Sequence, residues 1–430
     1  MRQIIKKLIP KKVFRQVEPL GHRLEAIAAA SAQGLPAKRL NVIGVTGTNG
    51  KTTTSFMIHR MLTEAGYKVG LLTTVANGIG NDITPQVQHM TTVSAPLLNK
   101  RLKEFQEHDV DWVVLETTSH ALAQSRVWGV PYQIAVMTNI THEHLDYHGT
   151  FEEYLAAKRR MFEVAAKHPK GFGVINADDP NADKFLAAIP NAVTYGLKNG
   201  DLMASDIKLA SDGSHYKVNV DSEPYDIHCH IPGEFNVANS LAAIAVGRHL
   251  GLTKQQIEQG IATLENVEGR MMTVDEGQDF SVVVDFAHTP DSFERLLSDL
   301  RKHTKGKLVV LFGSAGRRDE AKRWTQGEIA GKYADEVVLT EEDDRDIDGN
   351  LILSQIAEGA ERSGKVKDKD MFLILDRVEA INFAMTRVKS KDDTVVLLGK
   401  GHEKTIERAD GEHPWDEVAE AKKAIRSKTK

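Results

Sequence analysis

The sequence predicts an α/β protein made of two successive domains, and three observations support this prediction. First, a chain of 430 residues is too long for one ordinary domain, because domains of about 100–200 residues are the norm. Second, short apolar runs alternate with helical stretches, a pattern typical of parallel strands covered by helices. Third, this alternation occurs in two series that meet near residues 267–269. We therefore expect a short basic helical segment at residues 1–40, a central domain at 41–268 and a C-terminal domain at 269–430.

The first series predicts a domain with a mostly parallel sheet, and the glycine-rich run at residues 44–52 within it makes this a phosphate-binding-loop type of ATPase domain. Its strand-like runs are Asn41–Val45, Val69–Thr73, Trp112–Glu116, Ile134–Asn139 and Gly173–Asn176. The runs then become shorter and alternate in polarity, in His215–Val220 and Tyr225–Ile231, so we expect a small antiparallel patch there. Helical patterns follow at Asn236–Leu250 and Lys254–Leu264.

The second series predicts a Rossmann-like α/β domain at the C-terminal end of the chain. Its apolar runs are Ser281–Asp285, Leu308–Gly313, Glu336–Thr340, Met371–Leu375 and Thr394–Gly399. Each run is followed by polar or helical sequence, as parallel strands with crossover helices require.

The composition excludes several classes of protein. Hydrophobic residues make up 41% of the chain and charged residues 27%, which is ordinary for a globular protein and unlike a disordered or membrane-embedded one. The net charge of -5 gives no overall basic surface, so we expect no nucleic-acid partner. The single cysteine, Cys229, can form neither an internal disulfide nor a cysteine zinc site, which suits a reducing compartment. We expect a cytoplasmic enzyme that acts on small molecules as a monomer.

The start of the chain is basic, with six lysines and arginines within residues 1–17. This segment lacks the apolar core of a signal peptide, and no run in the chain approaches the length of a membrane span. A basic helix of this kind either touches an anionic membrane surface or presents a solvated face. We prefer the solvated face and expect no stable membrane insertion.

Residues 44–52 read Gly-Val-Thr-Gly-Thr-Asn-Gly-Lys-Thr, between an apolar run and the helical pattern Thr53–Ala65. A strand that leads through a glycine turn into a helix directs several N–H groups at one point, where phosphate binds. The common phosphate-loop pattern has four residues between its first glycine and the Gly-Lys pair. Counted from Gly47 the spacing here is shorter than in that pattern, and counted from Gly44 it is one residue longer. A plain turn is the alternative, which the Gly-Lys-Thr ending disfavours. The expected nucleotide contacts are Gly47, Thr48, Asn49, Gly50, Lys51, Thr52 and Thr53.

A second cluster of polar residues, at 138–149, reads Thr-Asn-Ile-Thr-His-Glu-His-Leu-Asp-Tyr-His-Gly. It follows a predicted strand, and residues at the carboxyl ends of strands in open α/β sheets face the ligand. Together with Glu116, which ends another predicted strand, His144 could bind Mg²⁺ or Mn²⁺. A capping or core histidine is the alternative. Three histidines within seven residues, beside a nucleotide loop, favour the functional interpretation.

Seven motifs together resemble those of the Mur ligases. They are Gly44–Thr54, Glu116–Leu122, Asn139–Gly149, Gly233–Ala243, Gly269–Met271, Asp285–Pro290 and Gly399–Glu403. The resemblance runs from about residue 41 to the end, and it is greatest to the MurE-like members, which add the third residue of the peptidoglycan stem to a UDP-N-acetylmuramoyl dipeptide. The phosphate loop alone would also admit folylpolyglutamate synthases. The runs at 144–149 and 285–290 favour the Mur ligases.

The resemblance implies an ATP-dependent ligase. Such enzymes phosphorylate a carboxylate with ATP, and an incoming amine then displaces the phosphate and forms an amide. The resemblance implies that Lys51 and Thr52 bind the polyphosphate and Mg²⁺, and that Glu116 and His144 are metal ligands. Lys158 stands where the family usually has an N-carboxylated lysine, which would hold a second Mg²⁺. Spacing alone would make Lys158 a surface lysine. The residues to which we assign catalysis are Lys51, Lys158 and His144.

The resemblance also suggests further nucleotide contacts in the second half of the chain. Asn236 and Asn239 resemble residues that contact the adenine nucleotide, although sequence alone would make one of them a helix N-cap. Arg270 and Asp285 resemble residues that contact phosphate and ribose, and His288 lies in the same loop as Asp285. These residues would bring the second domain onto ATP and exclude water from the acyl phosphate.

The resemblance also implies contact residues for the other two substrates, the muramoyl peptide and the incoming amino acid. Without the resemblance, these residues would be interpreted as ordinary polar residues in loops. Those matching muramoyl-peptide contacts are Thr91, Thr92, Thr118 and Arg126. Glu403 resembles a contact to the amino group of the incoming amino acid. Enzymes that add diaminopimelate carry Asp-Asn-Pro-Arg, which is replaced here by Glu342-Asp-Asp-Arg345. Arg345 would pair with a distal carboxylate, so we prefer diaminopimelate to lysine, although the added acid changes the local charge.

Other functions stay open at this point. Full members carry a UDP-binding domain before the phosphate loop, whereas about forty residues precede it here, so the uridine is held elsewhere or the acceptor carries no UDP. We expect the UDP-linked acceptor to bind weakly. A folylpolyglutamate-synthase-type ligase is the main alternative. A lipid II amidating subunit is disfavoured by the single cysteine, and an inert binding module by the retention of the catalytic residues.

Overall fold

The computed structural model describes residues 11–86, 90–210, 213–221 and 223–428. These residues form two compact units, each with its own sheet. One unit comprises the chain up to residue 207 together with 215–228 and 237–264, and the other is built mainly from 265–430. The predicted α/β fold class is confirmed, and the domain limits stay a prediction. Most of the basic segment at residues 1–17 lies outside the described residues.

The first sheet has eleven strands in the order β11-β10-β9-β8-β7-β6-β1-β5-β2-β3-β4. The strands are β1 Val42–Thr46, β2 Val69–Leu72, β3 Ala76–Ile79, β4 Asp82–Pro85, β5 Trp112–Glu116, β6 Tyr132–Met137, β7 Phe172–Asn176, β8 Ala192–Gly196, β9 Leu202–Ala210, β10 Gly213–Val220 and β11 Glu223–Cys229. Its helices are α1 Lys11–Ala32, α2 Lys51–Glu64, α3 Ala95–Glu107, α4 Ser119–Ala123, α5 Leu145–His148, α6 Phe151–Ala165, α7 Ala182–Leu186, α8 Glu234–His249 and α9 Lys254–Ala262.

The centre of this sheet positions the candidate site. Strand β1 pairs in parallel with β5 on one side and with β6 on the other, and every residue of the three strands is buried. Strands buried on both faces read as continuous apolar runs, which is why the sequence predicted them. Because parallel strands end at one edge, the loops that follow β1, β5 and β6 are neighbours.

The edges of the first sheet differ from the sequence prediction. The hairpin β3–β4, which pairs antiparallel with β2, was not predicted, because its strands are short and contain glycine, aspartate and proline. Strands β8 and β9, which pair in parallel, were also missed. In β9 most side chains are exposed or half-buried, so the apolar signal is weak. The predicted small patch is therefore part of a much larger sheet.

The second sheet has the order β12-β13-β17-β14-β15-β16, and all pairs are parallel except β12 with β13. The strands are β12 Met272–Thr273, β13 Ser281–Asp285, β14 Leu308–Phe312, β15 Glu336–Leu339, β16 Met371–Leu373 and β17 Thr394–Leu398, with a separate hairpin of β18 Thr405–Arg408 and β19 Gly411–Pro414. The helices are α10 Pro290–His303, α11 Ala321–Tyr333, α12 Gly349–Arg362, α13 Arg377–Thr386 and α14 Glu417–Lys428.

A core cluster of the second unit is mainly aliphatic and lies on one face of its parallel strands. Val309, Leu311 and Val395 are fully buried and pack with helix residues such as Ile381 and Ile425. Across the described ranges of the chain, no helix is both long and apolar enough to cross a bilayer.

Candidate active site

The loop between β1 and α2 is held in place by the end of β6. Thr48 N donates to Asn139 O at 2.7 Å, and Asn49 N donates to the Asn139 side-chain oxygen at 2.9 Å. The Asn139 amide and the Thr138 hydroxyl donate in return to Asn49 O at 3.0 and 2.6 Å. Thr48 Oγ1 lies 2.8 Å from the Tyr154 hydroxyl. The loop is therefore fixed before any ligand arrives, as a phosphate cradle requires.

Two glycines of this loop leave no space for a side chain. A Cβ on Gly47 would lie 1.8 Å from Thr138 Oγ1. Gly50 has φ +80°, which favours glycine, and a Cβ there would lie 2.4 Å from Asn239 Oδ1. Asn239 therefore packs directly on the predicted phosphate loop, near the position expected for a nucleotide contact. Asn236, one turn earlier in α8, donates its amide to Pro232 O at 2.7 Å.

The buried carboxylate of Glu116 faces the first turn of α2. Its two oxygens accept hydrogen bonds from Thr52 Oγ1 at 3.1 and 3.0 Å, and Thr74 supplies its N–H at 2.9 Å and its hydroxyl at 3.1 Å. Lys51 is half-buried, and its Nζ donates to Thr48 O at 2.7 Å. A hydroxyl and a carboxylate side by side, at a cationic phosphate loop, form a donor set that suits Mg²⁺.

His144 lies in a group of aromatic rings, with one carboxylate, that of Glu143, beside it. It is the N-cap residue immediately before α5, with φ 56°, its side chain is 40% exposed, and its Nε2 is 3.5 Å from Glu143 Oε1. Its ring centroid is 4.6 Å from that of His120. Within the described residues no three His, Cys, Asp or Glu side chains are grouped as a metal site. Metal binding by His144 therefore stays a prediction that requires ligands from the substrate.

Lys158 is 2% exposed and lies under the phosphate loop, where its Nζ donates to Gly47 O at 2.5 Å. The same nitrogen is 4.7 Å from the centre of the Tyr154 ring. Burial, and then the charge of Lys51, hold the pKa of Lys158 well below its usual value, although Glu143 and Glu116 oppose the shift. The prediction from spacing alone, that Lys158 lies on the surface, is therefore wrong. The lowered pKa favours the neutral form of its amine.

Three of the four residues expected to contact the acceptor come together beside Glu116. Thr92 Oγ1 donates to Glu116 O at 3.0 Å and is 3.2 Å from Thr118 Oγ1. Arg126 donates through Nη1 to Thr92 O at 2.8 Å, and burial lowers the pKa of this guanidinium. Thr91 adjoins the group and is half-buried. Hydroxyls and one guanidinium beside a phosphate loop could hold a carboxylate.

In the second unit, Asp285 fixes the loops around it. Its carboxylate accepts from Met271 N and Ala287 N, each at 2.7 Å, and burial raises its pKa although Arg270 and these two N–H groups oppose the shift. The Arg270 guanidinium lies 4.8 Å from the centre of the Phe286 ring. His288 Nδ1 lies 2.9 Å from Phe286 O. The structure thus brings Arg270, Asp285 and His288 together, while their contacts to nucleotide stay predictions.

The loops after β15 and β17 meet in an ion-pair network. Lys400 is fully buried, and its Nζ donates to Asp343 at 2.8 Å and to Glu403 at 2.6 Å. Burial alone would lower the pKa of Lys400, but Glu403 and Asp343 raise it. Arg345 donates through Nε to Glu407 at 2.7 Å. Arg345 Nη2 is also 4.0 Å from Asp343, so Asp343 and Lys400 link the two residues predicted to contact the incoming amino acid, Arg345 and Glu403.

Sequence reasoning missed several residues of these sites. Thr74 and Tyr154 carry no motif of their own, and only the fold shows that they contact Glu116 and Thr48. Arg323 is fully buried beside the glycine turn after β14 and donates to Gln355 at 2.5 Å, and its Nε has no hydrogen-bond partner among the described residues. That glycine turn, Gly313-Ser-Ala-Gly316, was the signal that could have drawn attention to it. Glu342 and Glu407 were also not assigned a role.

Two family descriptions match the chain. The description "Mur ligase middle domain" matches residues 45–247, and "Mur ligase, glutamate ligase domain" matches residues 269–401.

Characterised relatives are similar over most of the chain. The UDP-N-acetylmuramyl-tripeptide synthetase of Deinococcus radiodurans is 42% identical over 405 residues, which is 93% of this chain and 81% of the relative. The protein of the same name from Roseiflexus is 39% identical over 92% of this chain and 81% of its own. The UDP-N-acetylmuramoyl-L-alanyl-D-glutamate--2,6-diaminopimelate ligase of Geobacillus thermodenitrificans is 39% identical over 96% of this chain and 84% of its own.

Solved structures show the same architecture. A UDP-N-acetylmuramoyl-L-alanyl-D-glutamate--2,6-diaminopimelate ligase superimposes with a TM-score of 0.65 at 31% identity, covering 96% of this chain and 83% of that one. A folylpolyglutamate synthase of Mycobacterium tuberculosis, with ADP and AMPPCP, gives a TM-score of 0.73 at 19% identity, covering 87% and 92%. At this lower identity the likeness concerns the fold alone.

Proposed function

The chain belongs to the Mur ligase family, and from this premise we propose that it joins a diamino acid to the carboxylate of a muramoyl peptide, at the expense of ATP, in the synthesis of peptidoglycan precursors. Its relatives are named as ligases or synthetases that make the muramoyl tripeptide. The observation that carries the proposal is the contact between Glu116 and Thr52 at a phosphate loop that lies directly above the buried Lys158.

The phosphate loop would bind the ATP polyphosphate. The N–H groups at the start of α2 and the helix dipole attract negative charge. Lys51 is the mobile cation, because its amine donates to a loop carbonyl, that of Thr48, which it can leave when phosphate arrives. Transfer of the γ-phosphoryl group to the peptide carboxylate gives an acyl phosphate. The amine of the incoming amino acid then attacks the acyl carbon, and inorganic phosphate leaves.

Mg²⁺ fits the residues at the loop. Thr52 and Glu116 would hold one ion together with phosphate oxygens, and His144 would complete a site near the acceptor. Bound there, Mg²⁺ would neutralise charge that develops on the transferred phosphoryl group. We expect that excess Mg²⁺ partly restores the activity of Glu116→Ala and His144→Ala. If the activity of these variants does not change with the Mg²⁺ concentration, Glu116 and His144 have a structural role and do not bind the metal.

We propose that Lys158 is N-carboxylated. A neutral amine can attack the carbon of carbon dioxide, and loss of a proton leaves a carbamate anion. The depressed pKa of Lys158, caused by burial, favours the neutral amine that this step needs. The nearby charge of Lys51 favours the anion that results. The carbamate would supply a carboxylate for a second Mg²⁺.

Acceptor and amino acid would bind to separate groups of residues. We assign the acceptor carboxylate to Arg126 with Thr92 and Thr118, since these are the polar groups beside Glu116. We assign the amino group of the incoming amino acid to Glu403, whose carboxylate lies at Lys400. We propose that the enzyme acts in the cytoplasm, because ATP is its substrate, and the monomeric state stays a prediction.

The test is phosphate release from ATP with a panel of UDP-muramoyl peptides, the same peptides without UDP, and candidate amino acids. We expect release that requires both a muramoyl dipeptide and a diamino acid, with a tripeptide product of the corresponding mass. Release with folate and glutamate, and none with any muramoyl peptide, would instead identify a folylpolyglutamate-synthase-type ligase. Release without any amine would indicate hydrolysis rather than ligation.

A further inference from the structure

The loop after β15 is unusually rich in carboxylates. Residues 341–345 read Glu-Glu-Asp-Asp-Arg, and two more acids approach them from the chain beyond β17. The carboxylates of this acidic loop region are Glu341, Glu342, Asp343, Asp344, Glu403 and Glu407, and the cations paired with them are Arg345, Lys400 and Arg408. The fully buried Arg377 is committed to Glu417 at 2.6 Å. Carboxylates therefore outnumber the cations that neutralise them.

Arg345 has little capacity left for a ligand carboxylate. Its Nε donates to Glu407 at 2.7 Å, its Nη1 donates to Gly316 O at 2.5 Å, and its Nη2 is 4.0 Å from Asp343. A guanidinium recognises a carboxylate best with two parallel N–H groups. Here one carboxylate and one carbonyl oxygen already accept hydrogen bonds on both sides of the Arg345 guanidinium.

The backbone keeps Glu407 in this position. Arg345 N donates to Glu407 O at 3.0 Å, and Glu407 N donates to the Asp343 carboxylate at 2.9 Å. On the same strand, Arg408 forms a two-bond pair with Glu341, at 2.8 and 2.6 Å. The hairpin β18–β19 is thus held against the acidic loop by backbone hydrogen bonds and ion pairs. The contact between Glu407 and Arg345 is therefore fixed by the backbone and does not depend on the side chains alone.

Two carboxylates of the loop, those of Glu342 and Asp344, form no close ion pair within the part of the chain that the structure describes. Glu342 is 93% buried, and its carboxylate has neither a hydrogen bond nor an ion pair within the described residues. Burial raises its pKa, although Lys322 and Lys400 oppose the shift. Asp344 is similarly buried, and across the described ranges its carboxylate accepts a single hydrogen bond, from Glu342 N at 3.4 Å. Burial, helped by the neighbouring acids, raises the pKa of Asp344 to about 6.

We propose that this loop selects an amino acid whose side chain ends in an ammonium group without a carboxylate, such as L-lysine. Glu342 and Asp344 receive the ammonium group, and Glu407 is the specificity-determining residue that keeps Arg345 from binding a distal carboxylate. This inference rests on the proposed ligase function and names the amino acid for the same site. It replaces the preference for diaminopimelate that the sequence alone suggested.

The experiment compares L-lysine with meso-diaminopimelate as the amine, using UDP-muramoyl dipeptide and saturating ATP. For the unmodified enzyme we expect kcat/KM at least 10-fold higher with lysine. Glu407→Gln should reduce this ratio 10-fold or more, mainly by raising kcat/KM for diaminopimelate, because a neutral side chain leaves the Arg345 charge available. Glu342→Gln should raise KM for lysine 10-fold or more and leave KM for ATP within about twofold.

Glu412→Gln is the matched control. Glu412 lies opposite Glu407 in the same hairpin and is exposed, so this variant removes one negative charge from the hairpin without touching Arg345. Its lysine to diaminopimelate ratio should match that of the unmodified enzyme. An unmodified enzyme that prefers diaminopimelate, or a Glu407→Gln variant that changes both amines equally, would overturn the inference.

Failure of the inference is distinguishable from failure of the proposed function. If no amine supports ligation, the proposed function fails, and calorimetric titration of the full chain with lysine or diaminopimelate still tests the inference. Tighter binding of lysine, lost in Glu342→Gln, would support it. Tighter binding of diaminopimelate would refute it. Thermal unfolding of each variant shows whether the fold has been kept.

Discussion

At the scale of single residues, burial separates two lysines that share one loop. Lys51 is half-buried and rests on the carbonyl of Thr48, whereas Lys158 is almost wholly buried and rests on the carbonyl of Gly47. The first can move with a ligand, and the second cannot leave its place. The same side chain therefore serves as a mobile cation in one case and as a candidate for covalent modification in the other.

Lys158→Ala should lose most of the ligase activity, because the proposed carbamate is then missing. Short carboxylic acids such as acetate should restore part of it, since a free carboxylate can occupy the vacated space. Activity is measured as ATP-dependent phosphate release with and without the added acid. Lys167→Ala, at an exposed lysine just beyond the same helix, is the control. Full activity of Lys158→Ala would rule out the carbamate.

His59 should make the protein sensitive to mild acid. Its burial in α2 lowers its pKa to about 4, so between pH 6.5 and 4 the unfolded chain binds a proton that the folded chain does not. Stability then falls as the pH drops, by about 2 kcal/mol between pH 6.5 and 5. Urea unfolding at pH 7 and pH 5 measures the loss.

His59→Gln should show a smaller loss of stability between those two pH values than the unmodified protein. His108→Gln, at an exposed histidine, should leave the loss unchanged. Equal losses in all three proteins would mean that His59 is not the group responsible.

At the scale of elements, the parallel strands were predictable and the hairpins were not. Strands such as β1, β5 and β14 are buried along their whole length, so their apolar runs are visible in the sequence. In β18, by contrast, only Ile406 is buried, and two consecutive charged residues follow it. Its position depends on contacts of Glu407 and Arg408 with a loop that is distant in sequence. No local sequence pattern predicts such contacts.

The turn from β1 into α2 gives a prediction for Gly50. Gly50→Ala would impose a left-handed backbone on alanine, which costs about 1–2 kcal/mol, and would also press a Cβ against Asn239. Gly66 also has positive φ, at +96°, but a Cβ there meets nothing within 4 Å. Gly66→Ala should lose about that much stability in urea and Gly50→Ala at least as much, whereas only Gly50→Ala should weaken ATP binding, by 10-fold or more. Similar ATP affinities would show that Gly50 serves the turn alone.

At the scale of the whole molecule, both units place their polar side chains on loops at the carboxyl ends of parallel strands. The order of motifs along the sequence was therefore enough to predict which residues cluster at each edge. It was not enough to predict their partners. The bonds between Asn49 and Asn139, or between Arg345 and Glu407, join residues 90 and 62 positions apart, and they depend on strand order rather than on spacing.

ATP with Mg²⁺ should raise the temperature of unfolding of the chain, because a ligand that binds only the folded state stabilises it. At 100 times the dissociation constant the gain is about 2.7 kcal/mol, which corresponds to roughly 5 °C or more. Lys51→Ala should abolish both this shift and the ligation, whereas Lys68→Ala, at an exposed lysine away from the loop, should keep both. A full shift in Lys51→Ala would remove this lysine from the nucleotide site.

Because the β18–β19 hairpin is held against the acidic loop, mutations in this hairpin offer a route by which the amino-acid specificity could evolve. The strands that carry the catalytic loops are interior, and alterations there endanger folding. The hairpin has an exposed outer strand and forms no part of either large sheet. A few codon changes within it could retune the choice of building block while the ATP chemistry stays intact. A mutant library confined to this hairpin is therefore the natural starting point for engineering the composition of a cell wall.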